Sequence, residues 1–453
     1  MSDNTSFVKT PPMGWNSWDC YGAAVNEETV RANAKFMAEN LKQFGWQYIV
    51  VDIQWSNPIA QNHEYQPFTE LCMDEYSRLI PAAERFPSAA GGKGFAPLAE
   101  YVHSLGLKFG IHIMRGIPRQ AVHRNTAIKG TFRTARDIAK TSSICQWNTD
   151  MYGVDPEKVG AREYYDSIFE LYKSWGIVGD APHVADLVGA REYYDSIFEL
   201  YKSWGVDFIK VDDICRELPH EESELVMLSE SLRSCGRDMV LSLSPGAALP
   251  EKAELYKQVS NMWRITDDFW DNWPQLLDMF SRAQTWCIHA GAGHFPDADM
   301  LPVGAILQDY GPDGWTKFTK DEQITMMSLW CIMRSPLMIG GEMTKFDDFT
   351  MSLLTNADLI DCLNNTHSAH PLFRKTVDGG EQIAWFTSCT DGNSYYIALF
   401  NCGEKECSIT AELPIDCTFS AREIWTGAVN EVSGEITAFV KPHGAAMFRL
   451  TRV

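Results

Sequence analysis

The chain has 453 residues, 45% hydrophobic and 22% charged, which excludes a largely disordered polypeptide and at this length fits one large domain with a smaller one. Lys and Arg number 39 against 60 Asp and Glu, a formal charge of -21. That balance repels phosphate backbones and anionic membrane surfaces, so neither nucleic acid nor membrane is expected as a partner.

The opening "MSDNTSFVKTPPMGW" has no basic region followed by an apolar one, and no run of 18 apolar residues occurs elsewhere. As given, the chain reads as cytoplasmic, or as a mature form without its signal. Twelve cysteines are scattered, with no CxxC pair and no histidine spacing suited to zinc. They read as buried thiols, with Cys402 and Cys407 in "CGEKEC" the pair a hairpin could bridge. There is no glycine-rich phosphate loop and no histidine cluster, so no cofactor or metal is expected.

From residue 13 to about 345, short apolar runs alternate with helical patterns. The candidate strands are "MGWNSW", "QYIVVDI", "LKFGIHIM", "DFIKVDD", "DMVLSLS", "MWRITDD", "HAGAGHF" and "SPLMIGG". Helices are clearest at Glu27–Phe44 and Asp321–Met333. Repetition of βα units predicts the α/β class and a (β/α)8 TIM barrel over residues 1–350. Beyond that, "EQIAWFTSCTDGNSYYIALFNCGEKECSITAELP" reads as successive hairpins, predicting a C-terminal all-β sandwich over 351–453.

One segment is duplicated letter for letter: "VGAREYYDSIFELYKSWG" stands at 159–176 and again at 188–205, separated by "IVGDAPHVADL". Solenoid copies drift and recur at least three times, so this is a recent or engineered duplication. One copy fits a barrel helix slot. The first has the natural helix start and the second the natural exit into a strand, so both assignments stay open.

Catalytic groups of parallel barrels project from the carboxyl ends of strands. Here those ends carry Trp18, Asp52, His112, Lys210 with Asp212 and Asp213, Ser244, Asp267 with Asp268, and Asp299. A single strand-end Asp is more often a helix cap. Several on one face beside tryptophan are what a sugar site needs: flat ring faces to stack on and acceptors for hydroxyls. Glycosidic cleavage calls for two carboxyl groups, and Asp212 and Asp268 can supply them. Lys210 shares a strand face with Asp212 and favours its ionised, nucleophilic form. Asp213 and Asp267 point the other way and read as structural.

The motifs "PPMGWNSWDCYG", "YIVVDIQW", "FAPLAEYVHSLGLKFGIH", "FIKVDDIC", "MWRITDD", "FPDADMLPVG" and "SLWCIMRSPLMIGGEM", in this order, resemble glycoside hydrolase family 27, which includes α-galactosidases, α-N-acetylgalactosaminidases and β-L-arabinopyranosidases. The resemblance implies a retaining mechanism with Asp212 as nucleophile and Asp268 as acid/base, the two carboxyl groups about 5–5.5 Å apart. It further implies that Trp18 stacks on the sugar, Asp52 and Lys210 hold ring hydroxyls, Arg264 reaches the 2-position and Asp299 lines the pocket. Cys145 and Cys215 match a pair bridged in secreted members.

Three positions depart from the α-galactosidase pattern. Ile53 stands where a second Asp normally holds the 6-hydroxyl of galactose, which suits β-L-arabinopyranose, a sugar lacking that CH2OH. His112 replaces a tyrosine, and is either a substrate contact or a satisfied polar group. Ser244 replaces a Glu directed at the 2-hydroxyl. The expected function is a retaining exo-glycosidase removing terminal α-D-galactosyl units from an oligosaccharide or glycoside. Alternatives are a β-L-arabinopyranosidase, and an inactive or binding-only variant disturbed by the duplication.

Overall fold

The computed structural model describes residues 7–453 apart from 67, 77, 129–131, 156, 162–204, 217–221, 235–236, 312 and 378–379. Almost all of both duplicated copies lies outside the described residues, and so does the question of which copy fills the helix slot.

The second strand is "YIVV", four residues that favour extended backbone and are all buried. Strands covered on both faces carry continuous apolar runs of this kind, as parallel sheets require. Eight of them make the barrel: β1 (Met13–Asn16), β2 (Tyr48–Val51), β3 (Lys108–Met114), β4 (Val206–Asp212), β5 (Val240–Leu243), β6 (Met262–Arg264), β7 (Phe295–Asp297) and β8 (Leu337–Ile339). All their pairings are parallel, in the order β7-β6-β5-β4-β3-β2-β1-β8. Leu301, just past β7, closes the ring on β8: its N–H donates to Met338 O at 2.7 Å and its carbonyl accepts from Gly340 N at 2.9 Å. Seven strand expectations match; the seventh segment does not. "HAGAGHF" forms a tight turn bridged between Gly291 and His294, with Gly293 at φ +89°, and the strand starts only at Phe295.

Helices cover the outside. The first, α1 (Glu27–Asn40), begins at Asn26, whose side chain accepts from Thr29 N at 3.0 Å while Thr29 Oγ1 accepts from Asn26 N at 3.2 Å. This reciprocal cap stabilises the start by roughly 1 kcal/mol. Val30, Ala34, Met37 and Leu41 face the barrel and are fully buried. Gly45, at φ +97°, ends the following 3-10 turn Lys42–Phe44, which is why the helix stops short of the predicted Phe44. The helix α2 (Lys320–Met333) starts at a similar Thr319–Glu322 box.

The all-β region starts at Thr366, where 351 was expected, because Asp348–Leu354 and Ala357–Asn365 form two further helices. Its sheets hold six and two strands. Docking on the barrel combines a shared apolar core, which includes Trp385, Phe400 and Met447, with specific polar contacts. The His443 ring stacks on Trp273 at a 3.8 Å centroid distance, its Nδ1 lies 2.8 Å from Glu322 Oε1, and its carbonyl accepts from Thr325 Oγ1 at 2.6 Å. The helix α2 is therefore buried on nearly every side, between barrel and sandwich.

Candidate active site

At the carboxyl end of β4, the two-residue strand period puts Lys210 and Asp212 on the inner face together. Lys210 Nζ donates to Asp52 Oδ2 at 2.9 Å and lies 3.9 Å from Asp212 Oδ2. Asn16 Nδ2, from β1, donates to the same Asp52 oxygen at 2.7 Å. Strands β1, β2 and β4 thus meet in one charge cluster on the pocket floor. Burial pushes the Asp212 carboxyl up, but Lys210 and His112 outweigh it and hold it at about 2. Asp52 is likewise lowered against its own burial by Lys210 and His112. The ammonium of Lys210 is raised, because Asp212 and Asp52 overcome the burial that opposes its charge. An ionised carboxylate on the floor of a pocket is what a nucleophile needs.

Across the pocket stands Arg264, the last residue of β6. Its Nη2 lies 2.7 Å from Asp299 Oδ2 and 2.9 Å from Asp268 Oδ1. The two carboxylates therefore share one guanidinium nitrogen. Asp299 is buried, accepts from Phe269 N at 2.8 Å, and is pushed up to about 7 by burial, with Asp268 and Asp297 adding to the rise against the pull of Arg264. The Asp268 side chain is 56% exposed, so it stands at the mouth, where a leaving group departs.

An aromatic collar completes the wall. Trp18 stacks on Tyr65 at 5.7 Å, Tyr65 meets Trp147 at 5.2 Å, and His63 turns its edge to Trp18 at 5.0 Å. His63 is fixed by contacts from Nδ1 to Asp309 Oδ2 at 2.9 Å and from Nε2 to Trp18 O at 2.7 Å. The enclosed volume is about 370 Å³, at the small end of ligand pockets and suited to one sugar ring. Among the described residues no group of three or more His, Cys, Asp or Glu is disposed to hold a metal ion.

Of the residues singled out in the sequence, Trp18, Asp52, Lys210, Asp212, Arg264, Asp268 and Asp299 line this one pocket. Ile53, His112 and Ser244 are buried but outside its wall. The reason for the last two is the nucleophile itself. His112 Nε2 lies 2.8 Å from Asp212 Oδ2, and Ser244 Oγ donates to Asp212 Oδ1, so both are engaged behind the carboxylate, away from the sugar's space. Ile53 N–H donates back to Asp52 Oδ1 at 2.9 Å, and its side chain sits beneath the lining. Asp213 is structural as expected, paired with Arg115 at 2.8 Å. Asp267 instead lines the rim, paired with Arg216 at 2.9 Å. Cys145, Cys215, Cys402 and Cys407 are free thiols.

Sequence reasoning missed Asp19, His63, Tyr65, Trp147 and Trp270, which also line the pocket. All but Asp19 lie on loops, where no periodicity marks them; the available signal was aromatic density after β2, β3 and β6.

The family model described as "Alpha galactosidase A" matches residues 10–171 and 168–365, and the one described as "Alpha galactosidase C-terminal beta sandwich domain" matches 379–450. The chain belongs to glycoside hydrolase family 27 and is a glycoside hydrolase. The two stretches overlap at residues 168–171, inside the first duplicated copy. The α-galactosidase of Cyamopsis tetragonoloba is 27% identical over 452 residues, covering 98% of this chain and 86% of that one. The α-galactosidase of Coffea arabica is 27% identical over 449 residues, covering 98% and 94%. Among solved structures, a family 27 β-L-arabinopyranosidase from Geobacillus stearothermophilus matches at 47% identity and a TM-score of 0.89, covering 99% of this chain and 98% of that one.

Proposed function

We propose that this glycoside hydrolase is a retaining exo-glycosidase that removes terminal α-D-galactosyl units by double displacement. The observation that carries it is the setting of Asp212: an ionised carboxylate on the floor of a one-sugar pocket, beside Lys210 and in the same lining as Asp268. In the first step an Asp212 oxygen attacks the anomeric carbon, the glycosidic C–O bond breaks, and Asp268 gives its proton to the departing oxygen. In the second step Asp268 takes a proton from water, whose oxygen displaces Asp212 and releases the sugar with its anomeric configuration retained. Trp18 offers the stacking face, and Asp52, Lys210, Arg264 and Asp299 offer charged partners to hydroxyls.

A second reading is favoured by a specific observation. Residue 53 is Ile, so the acid that would hold a galactose 6-hydroxyl is missing, and the Geobacillus relative is named a β-L-arabinopyranosidase. That sugar shares galactose's ring stereochemistry, so the same two carboxyl groups would serve it. Rates on p-nitrophenyl α-D-galactopyranoside and p-nitrophenyl β-L-arabinopyranoside, with Asp212→Asn as control, decide between the readings. Faster galactoside cleavage supports the first and faster arabinoside cleavage the second. No turnover of either by folded wild type refutes both, leaving the binding-only reading.

A further inference from the structure

Asp19 follows Trp18 in the short helix Trp18–Tyr21 and reaches the same pocket, yet the two displacement steps make no use of it. The residue is 3% exposed. Its Oδ2 is sealed from solvent against Gly340 and has no hydrogen-bond partner, while Oδ1, which is not sealed, is the oxygen left to meet the pocket, and among the described residues no donor bonds it. Oδ2 lies so close to Gly340 that a Cβ there would come within 2.0 Å of it. A side chain at residue 340 would displace the carboxyl group, so the glycine is what admits it. The charges acting on it belong to the site: Asp299 and Asp268 on one side, Lys210 and Arg264 on the other.

Buried polar groups are nearly always paired, and an unpaired one in a native pocket calls for a partner that arrives later. Burial first, then Asp299 and Asp268, push this carboxyl well up. In either protonation state its oxygen accepts a hydrogen bond, and a sugar hydroxyl can donate one. We propose that Asp19 is a glycone-binding residue, its unpartnered Oδ1 hydrogen-bonded by a ring hydroxyl of the bound sugar while Gly340 seats Oδ2. This rests on the glycosidase reading of the pocket. It adds a hydroxyl contact on the tryptophan side of the site, where the floor and the Arg264 wall supply none.

A residue kept for its ligand leaves a distinct signature, because removing it relieves the free enzyme while weakening the complex. The test measures Kd for D-galactose and for L-arabinose by calorimetric titration, and Tm without sugar, in wild type, Asp19→Leu and Asp19→Asn. Leucine keeps the approximate shape and loses the hydrogen bonds; asparagine keeps a donor and an acceptor. For Asp19→Leu we expect the better-bound sugar to lose ~10- to 100-fold in affinity, with Tm unchanged or higher by about 1–3 °C, and for Asp19→Asn affinity within about threefold of wild type. If the leucine variant does not fold, Asp19→Ala takes its place in the affinity comparison, with Asp19→Asn still the retaining member. Unchanged affinity in Asp19→Leu, or lost affinity with a lower Tm, overturns the proposal. Because Kd is read without turnover, a wild type that binds sugar but cleaves neither glycoside would refute the proposed reaction and leave Asp19 decided. A wild type that binds neither sugar refutes both.

Discussion

The ring of His112, from β3, places Nε2 2.8 Å from Oδ2 of Asp212, from the neighbouring β4, and the ring is buried. The register pairs His112 with Lys210 and Met114 with Asp212, so the imidazole approaches the nucleophile from the strand side. One carboxylate oxygen is thereby fixed by His112 and the other by Ser244, which sets the angle at which Asp212 can attack. His112→Phe keeps a ring and removes the contact. We expect kcat to fall roughly 10- to 100-fold, with KM changed less than threefold, because His112 is outside the pocket wall. A loss carried mainly by KM would place His112 against the sugar after all.

The rule that strands end in chemistry found Asp52, Lys210, Asp212 and Asp268, which end runs that can be read letter by letter, and Asp299 just past the seventh run; Arg264 came only from the family resemblance. The same rule could not say how deep a side chain lies. Ile53, His112 and Ser244 share the right barrel end with the lining residues but sit one layer below them, a distinction made by packing alone. The collar residues Tyr65 and Trp147 come from long loops whose path depends on contacts far apart in sequence, such as Gln120 Oε1 accepting from Leu71 N at 2.8 Å. The seventh strand was misplaced for a local reason: its two glycines build a turn, although the flanking residues alternate like a strand.

Two carboxyl groups should give stability opposite dependences on pH. Asp212 is held at about 2 in the folded protein against an ordinary 3.8. The unfolded chain therefore binds its proton first as pH falls, and roughly 2 kcal/mol of stability present above pH ~4 is lost toward pH ~2. Asp299 is raised to about 7, so the folded state holds its proton longer, and stability falls as pH rises from ~4 to ~7. In Tm measured against pH, Asp212→Asn should flatten the acid limb. The Tm difference between Asp299→Asn and wild type should climb between pH 4 and 7, whatever its constant offset. A difference independent of pH across that range would contradict the raised Asp299.

Lys210 keeps two buried carboxylates, Asp52 and Asp212, from repelling each other. Lys210→Met preserves length and apolar stem but removes the cation. Stranding buried charge in this way costs about 3–5 kcal/mol, read as a lower urea midpoint at pH 7. The same change lets the Asp212 carboxyl rise, so the acid limb of kcat/KM should move to higher pH. A wild-type midpoint would mean that Asn16 and His112 suffice.

Ile53 tests how the pocket reads the sugar's 5-substituent. It follows Asp52, whose Oδ1 it bonds through its own N–H, and it is buried without joining the apolar core. An aspartate there brings a buried charge that a hydroxyl entering from the pocket can satisfy. With α-D-galactoside bound, the 6-hydroxyl does so; with β-L-arabinopyranoside, nothing does. Ile53→Asp should therefore raise the ratio of galactoside to arabinoside kcat/KM by roughly tenfold, one hydrogen bond to a charged group. Both absolute rates can fall, since the new carboxylate adds buried charge next to Asp52, and the ratio removes that common loss. A ratio unchanged within twofold would show that residue 53 lies too far beneath the lining to reach the sugar, and would shift discrimination to the collar above Trp18.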